Sequence, residues 1–325
     1  MSGWIASEWA QRPPVHTLPP PKPLCNTGAG SVECTFGVVW INMKERKDKA
    51  RHMFSVFNAS LKRDVLGLVR GIHRLEGVRV SCSGDPPQPC EMSRNPLGEL
   101  GSSTEVIWKG EYETDHWRSE HGLEPRFIST RTRAGVLGVW SSHLDAVIRF
   151  SSRVRSMNFL LVLEDDVELD ANFFARLPEE MARLPNAGRP WHVVRFDTWG
   201  YHNPRDEVTP GVWQTYRHSK KANKATQQHS YGIQNRLYGG AHAVLYQAKT
   251  AHELVQALLS GRVGNHFDDE LVIERPAKGE PPAVISYAIH TGLVRPGWDF
   301  PSDRDPGKSN VATWFRSADS RKHRT

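Results

Sequence analysis

Glu164, Asp165 and Asp166 stand together directly after the apolar run Phe159 to Leu163. Adjacent carboxylates repel one another, so they are costly side by side unless a cation or hydrogen-bond donors neutralise them. Oxygen ligands alone suit Mg2+ or Mn2+. The competing reading is an acidic turn ahead of a helix over 171–177, N-capped by Asp170. A second carboxylate group, Asp268, Asp269 and Glu270, lies within the segment His266 to Leu271. Polar side chains that could meet an anionic ligand sit beside two other apolar segments. Asn42 and Arg46 follow the run Phe36 to Ile41, with a solvated helix face as the alternative for Arg46. Gly138, Ser142 and His143 lie in Gly135 to His143, with a satisfied core histidine as the alternative for His143.

These residues need elements to hold them. Phe159 to Leu163 is unbroken and short, which predicts a strand buried on both faces, as in a parallel sheet. In such sheets ligands bind at the carboxyl ends of the strands, where the acidic residues fall. Phe36 to Ile41 predicts an earlier strand. Lys44 to Leu61, with Ala50, Met53, Phe54, Phe57 and Leu61 at helical spacing, predicts the helix that follows it. Strand then helix opens a βαβ unit. Further strands are expected over 72–80, 191–196, 237–246 with a Gly239–Gly240 kink, and 283–289. A helix is expected to open at Gly135, whose exposed first amides would suit an anion, and another to span 251–259 and stop at Gly261. Residues 203–235 read as a basic loop able to close over a phosphorylated ligand.

The 325 residues allow one large α/β domain or two ordinary ones. Residues 1–35 are rich in proline and glycine and read as a tail without fixed structure. Residues 81–125 read as a long irregular insertion, and 306–325 as a basic tail. A net charge of +6 and a pI near 9.2 favour an anionic ligand or an anionic membrane surface. They do not point to nucleic acid, because zinc-finger spacing and aromatic-interleaved basic motifs are missing. Cys25, Cys34, Cys82 and Cys90 fit no zinc signature. Cys82 and Cys90 could pair in an oxidising compartment and would be thiols in a reducing one. No apolar run reaches the roughly 18 residues of a membrane span. The N-terminus lacks the form of a signal peptide. A cytoplasmic protein, soluble or at a membrane surface, is expected, with the secretory lumen as the alternative.

Taken in order, these pieces resemble glycosyltransferase family 25, the bacterial lipooligosaccharide galactosyltransferases and the related collagen galactosyltransferase domains. The family opens with Asn-Leu-x-x-Arg-x-Asp-Arg after a strand, matched by Asn42 to Lys49. Its Gly-x-x-Gly-Cys-x-x-Ser-His is matched by Gly135 to His143, and its Leu-Glu-Asp-Asp by Leu163 to Asp166 without change. Tyr238 to Ala243, Phe267 to Leu271 and Ser302-Asp303 resemble its later motifs. Val139 stands where the family has Cys, Lys49 where it has the second Arg, and the 81–125 insertion is long. The resemblance spans about residues 36–305.

It implies a GT-A fold: a Rossmann-like mixed α/β sheet flanked by helices, in one domain with irregular insertions. The implied reaction is inverting transfer of a hexose, often galactose, from a UDP-sugar to a hydroxyl of an oligosaccharide or glycoprotein acceptor. Asp166 is expected to hold Mn2+ or Mg2+, and Glu164 and Asp165 to orient ribose or sugar. Asn42, Arg46, Gly138, Ser142, His143 and Gly239 complete the expected donor site. Asp268, or else Asp269, is expected to be the base. Two other classes compete: an inactive domain of this type that binds a nucleotide or glycan, and a basic module that binds nucleic acid or a membrane surface.

Overall fold

The computed structural model describes residues 35–64, 67–83, 90–96, 130–153, 157–185, 190–199, 202–217, 238–260, 267, 271, 273–274 and 284–297. The expected N-terminal tail, the C-terminal tail, Ser302 and Asp303, most of the 203–235 loop and all three residues Asp268 to Glu270 lie outside these.

Eight strands form the central sheet. They are β1 (Phe36–Asn42), β2 (Val69–Glu76), β3 (Phe159–Glu164), β4 (Val193–Phe196), β5 (Glu207–Thr209), β6 (Val212–Gln214), β7 (Ala243–Gln247) and β8 (Ser286–Ile289). Their order in space is β2-β1-β3-β7-β4-β8-β6-β5. β1 runs parallel to β2 and β3, and β4 parallel to β8. β7 runs antiparallel to both β3 and β4, β6 antiparallel to β8, and β5 antiparallel to β6. This is a mixed α/β sheet, as the family resemblance implies, with β7 antiparallel where the apolar run alone suggests a parallel sheet.

Among the described residues four α-helices cover it: α1 (Lys47–Leu61), α2 (Thr130–Arg153), α3 (Phe173–Ala182) and α4 (Ala251–Ser260). Successive residues of β3 face opposite ways. Phe159, Leu161 and Leu163 pack with Met53 and Phe57 of α1 and with Phe173, Leu177 and Met181 of α3. Leu160 and Val162 pack with Trp140, Leu144 and Val147 of α2 and with Leu254 and Val255 of α4. Each such side chain, fully buried, contributes about 1.5–3 kcal/mol, which fixes β3 as the middle of a three-layer stack.

Several expectations need correction. α2 is already helical from Thr130, ahead of Gly135. The amides of residues 135–138 therefore lie inside a helix and are not open to an anion. Gly138 and Ser142 both meet Val78. A Cβ on Gly138 would sit 3.1 Å from the Val78 carbonyl oxygen. The Ser142 hydroxyl accepts from the Val78 amide at 2.7 Å and donates to the Gly138 carbonyl at 2.6 Å. The expected 72–80 strand is two pieces: β2, and Val80–Cys82, which pairs with Cys90–Met92. A Cys82–Cys90 disulfide closes that pair, so part of the 81–125 insertion is regular. Arg94 ties it to α2 through the buried Asp145, which also accepts from Arg149. Part of the expected basic loop is β5 and β6, joined at Pro210 and Gly211. Gly211 has φ +72, a conformation glycine adopts at no steric cost. The N-cap of α3 is Asn172, and Asp170 instead accepts from the Asn172 amide. No helix among the described residues is long and apolar enough to cross a membrane.

Candidate functional site

From β1 the chain passes through α1 to β2 on one side, and later enters β3 on the other side of β1. Connections diverge at this point, which opens a crevice at the carboxyl ends of β1 and β3, the usual ligand position in an open α/β sheet. β1 delivers Asn42 there and β3 delivers Glu164, with Asp165 and Asp166 in the turn that follows.

The two aspartates are not equivalent. Asp165 is buried, and the Asn42 side-chain amide donates to its Oδ2 at 2.7 Å. Lys49, from the first turn of α1 and only 3% exposed, places its ammonium 2.9 Å from Asp165 Oδ1 and 3.0 Å from Asp166 Oδ2. Burial pushes the Asp165 carboxyl above its ordinary value, and the Lys49 charge opposes that rise. The Asp166 side chain remains 28% exposed and Glu164 29%. Asp166 and Glu164 are therefore the partly exposed acidic side chains at this edge, while Asp165 is buried against Lys49 and Asn42. Lys49 stands out in the sequence only as a replacement for arginine. Its three-residue spacing from Arg46 gives no sign that it turns inward.

Arg46 grips Asp48 through Nε at 3.0 Å and Nη2 at 2.8 Å, holding the Asp48 carboxyl well below the usual range. The Arg46 carbonyl accepts from Asn42 Nδ2, so the backbone of Arg46 belongs to the crevice wall. His143 is fully buried on α2. Its Nδ1 lies 3.3 Å from the Tyr246 hydroxyl, its ring stacks on Phe267 at 4.4 Å, and its Nε2 is 3.9 Å from Glu164 Oε1. Phe267 is the residue before Asp268. Asp268 and Asp269 themselves are outside the described residues.

Gly239 forms a bridge with Trp199, whose ring would lie 2.7 Å from a Cβ added there. Only glycine allows that approach, so Gly239 seats the indole. Asp197, with φ 46, accepts from the amides of Thr291, Gly292, Leu293 and Val294 and from the Thr291 hydroxyl. It clamps the loop after β8. Neither Trp199 nor Asp197 is marked by any motif.

A divalent ion can be tested against these donors. Among the described residues no three of His, Cys, Asp and Glu cluster in a way that could hold one. Asp166 by itself fits the common mode in which one or two carboxylates hold the ion and the phosphates of a substrate supply further oxygens.

No protein-family model matches the chain, and no curated protein matches it. Solved structures resemble it at low scores, three of them as follows. A glycosyltransferase involved in glycosylation of the major capsid of PBCV-1 shares 7% identity over 70% of this chain, with a TM-score of 0.27. The match spans 65% of that protein, slightly under two thirds of its length. Mouse xyloside xylosyltransferase 1, apo form, shares 10% identity over 73% of this chain and 78% of its own, with a TM-score of 0.31. Mannose-1-phosphate geranyltransferase from Thermus thermophilus shares 11% over 79% and 74%, with a TM-score of 0.27. Superposition at this level carries no information on residue roles.

Proposed function

We propose that the chain is a glycosyltransferase that moves a hexose, galactose first among candidates, from a UDP-sugar to a hydroxyl of a glycan or glycoprotein, with inversion. One observation carries the reading: the β1–β3 crevice holds an unequal aspartate pair, with Asp165 buried on Lys49 and Asn42 and Asp166 exposed beside Glu164. The ordered motifs shared with family 25 support it.

In this reading Asp165 is structural. It fixes Lys49, whose ammonium offsets part of the negative charge that Asp165 and Asp166 bring to the crevice. Asp166 would hold Mn2+ or Mg2+, which when bound offsets the charge that develops on the leaving diphosphate. Glu164 faces the crevice and would orient a ribose or sugar hydroxyl. Asp268, following the anchored Phe267, would take the acceptor proton on the far side of the sugar, with Asp269 as the alternative. The Cys82–Cys90 disulfide favours the secretory lumen or another oxidising compartment over the cytoplasm.

A second reading draws on Lys49. Its ammonium already pairs with both aspartates, taking the place a metal ion would otherwise fill in a nucleotide-binding domain that needs none. Calorimetric titration of UDP with and without Mn2+, on wild type and Asp166→Asn, separates the two. The metal should tighten UDP binding to wild type and not to Asp166→Asn. Equal enhancement in both proteins would remove Asp166 as the ligand. UDP release from a panel of UDP-sugars that is insensitive to EDTA would remove the metal, and no release from any of them would favour the binding domain.

A further inference from the structure

The same sheet edge carries a second group of side chains that the donor site does not use. Trp213 of β6, His202 and the exposed His290 after β8 meet ring to ring. His202 lies 4.8 Å from Trp213 and 4.3 Å from His290, and Trp213 lies 4.8 Å from His290. The rings meet at 54° to 69° and so form a corner. Trp213 and His202 are half-buried. Trp199, also half-buried, stands over Gly239 on the same edge.

The hydrogen bonds fix where the protons are. His290 Nε2 is 3.0 Å from the Thr198 carbonyl oxygen, which can only accept, so this nitrogen carries the hydrogen. It also faces His202 Nε2 at 3.1 Å. His202 Nε2 must then be an acceptor, and the Thr198 hydroxyl donates to it at 2.7 Å. The lone pair of His290 is therefore on Nδ1 of an exposed ring. The corner offers aromatic faces for an apolar C–H surface and a nitrogen acceptor for a hydroxyl. A pyranose presents both features.

Position decides which pyranose. β8 runs parallel to β3, so His290 and Asp166 lie at the same edge of the sheet. They are separated by three strand intervals, on the order of 14 Å. That is too far for the reacting hydroxyl and suits a ring further along the acceptor, when the donor diphosphate occupies the β1–β3 crevice.

We propose that Trp213, His202 and His290 form an acceptor subsite for a pyranose ring, stacked on Trp213 with one hydroxyl donating to His290 Nδ1. The assignment to the acceptor rests on the transferase reading, whereas pyranose binding by the corner does not. The test is titration of tryptophan-labelled protein with methyl β-galactoside, methyl β-glucoside, methyl α-mannoside and methyl β-xyloside, following the Trp213 indole resonance by NMR in wild type, with glycoside affinity in wild type and variants measured by ligand-observed saturation-transfer NMR. At least one glycoside should move that resonance saturably. Trp213→Leu and His290→Phe, the latter keeping a ring but no nitrogen acceptor, should each weaken that glycoside by about three- to tenfold, the size of one lost contact. UDP affinity, measured in parallel, should be kept in both. The proposal is overturned if no glycoside moves Trp213, if affinity is the same in both variants as in wild type, or if UDP binding is lost together with glycoside binding. Absence of UDP binding by the wild type would overturn the transferase reading alone, since the glycoside titration decides the subsite by itself.

Discussion

Lys49 is the residue on which the crevice depends. A lysine side chain this deeply buried is tolerated because two carboxylates face it at hydrogen-bond distance, and those carboxylates are tolerated together because the lysine faces them. Removing one member of a buried charge group leaves the others uncompensated. Lys49→Met should lower stability by about 3–5 kcal/mol in urea denaturation, and adding Asp165→Asn should restore a large part of it. Additive losses in the double variant would mean that the ammonium and the Asp165 carboxylate do not interact as described. Asp166→Asn, by contrast, removes a charge from a partly exposed side chain. It should leave the fold intact, so that its effect on UDP binding reads the ligand site directly.

Among the elements, β4, β8 and α4 are joined by one histidine. His192 precedes β4, its Nδ1 accepts from the Ile285 amide at 2.9 Å, and its Nε2 is 3.2 Å from Glu253 of α4. Burial lowers the pKa of His192 against the opposing pull of Glu253. A histidine lowered in the folded state contributes stability above its unfolded value near 6.5, and that contribution is lost as pH falls towards the folded value. The unfolded chain binds the proton first, so acidification from pH 7 to pH 5 should lower the urea midpoint. His192→Gln should be less stable at pH 7 and show a shallower fall over the same range. An unchanged slope would assign the pH response to other groups.

At the scale of the whole molecule, the described core closes without residues 1–34. Both faces of β3 are filled by α1 and α3 on one side and by α2 and α4 on the other. A proline-rich segment without a periodic apolar pattern has little to add to such a core. Deleting residues 1–34 should leave the melting temperature and UDP affinity nearly unchanged. A large drop in either would show that Trp4 or Trp9 packs on the folded part.

The sequence by itself determined the local features whose causes are local. The unbroken run Phe159 to Leu163 set a strand buried on both faces, and the spacing of Met53 and Phe57 set the buried stripe of α1. The ordering of strand, helix and acidic residues set an α/β sheet and the edge at which Glu164, Asp165 and Asp166 emerge, while its mixed character was implied only by the family resemblance. The short β5–β6 hairpin was also legible in principle, since Pro210 and Gly211 stand between Val208 and Val212, but the polar residues around it masked that signal. Only the tertiary structure decided which acidic residue stays available. Asp165 and Asp166 are neighbours of the same type, and what separates them is the approach of Asn42 and Lys49, more than a hundred residues earlier in the chain. The same holds for Gly138 and Ser142, which a motif groups with ligand-binding residues and which the fold turns onto Val78. It holds again for Trp213, His202 and His290, brought ring to ring by the pairing of β6 with β8. Periodicity records which face of an element is buried. It does not record what that face meets, because the partner is chosen by strand order and long-range pairing.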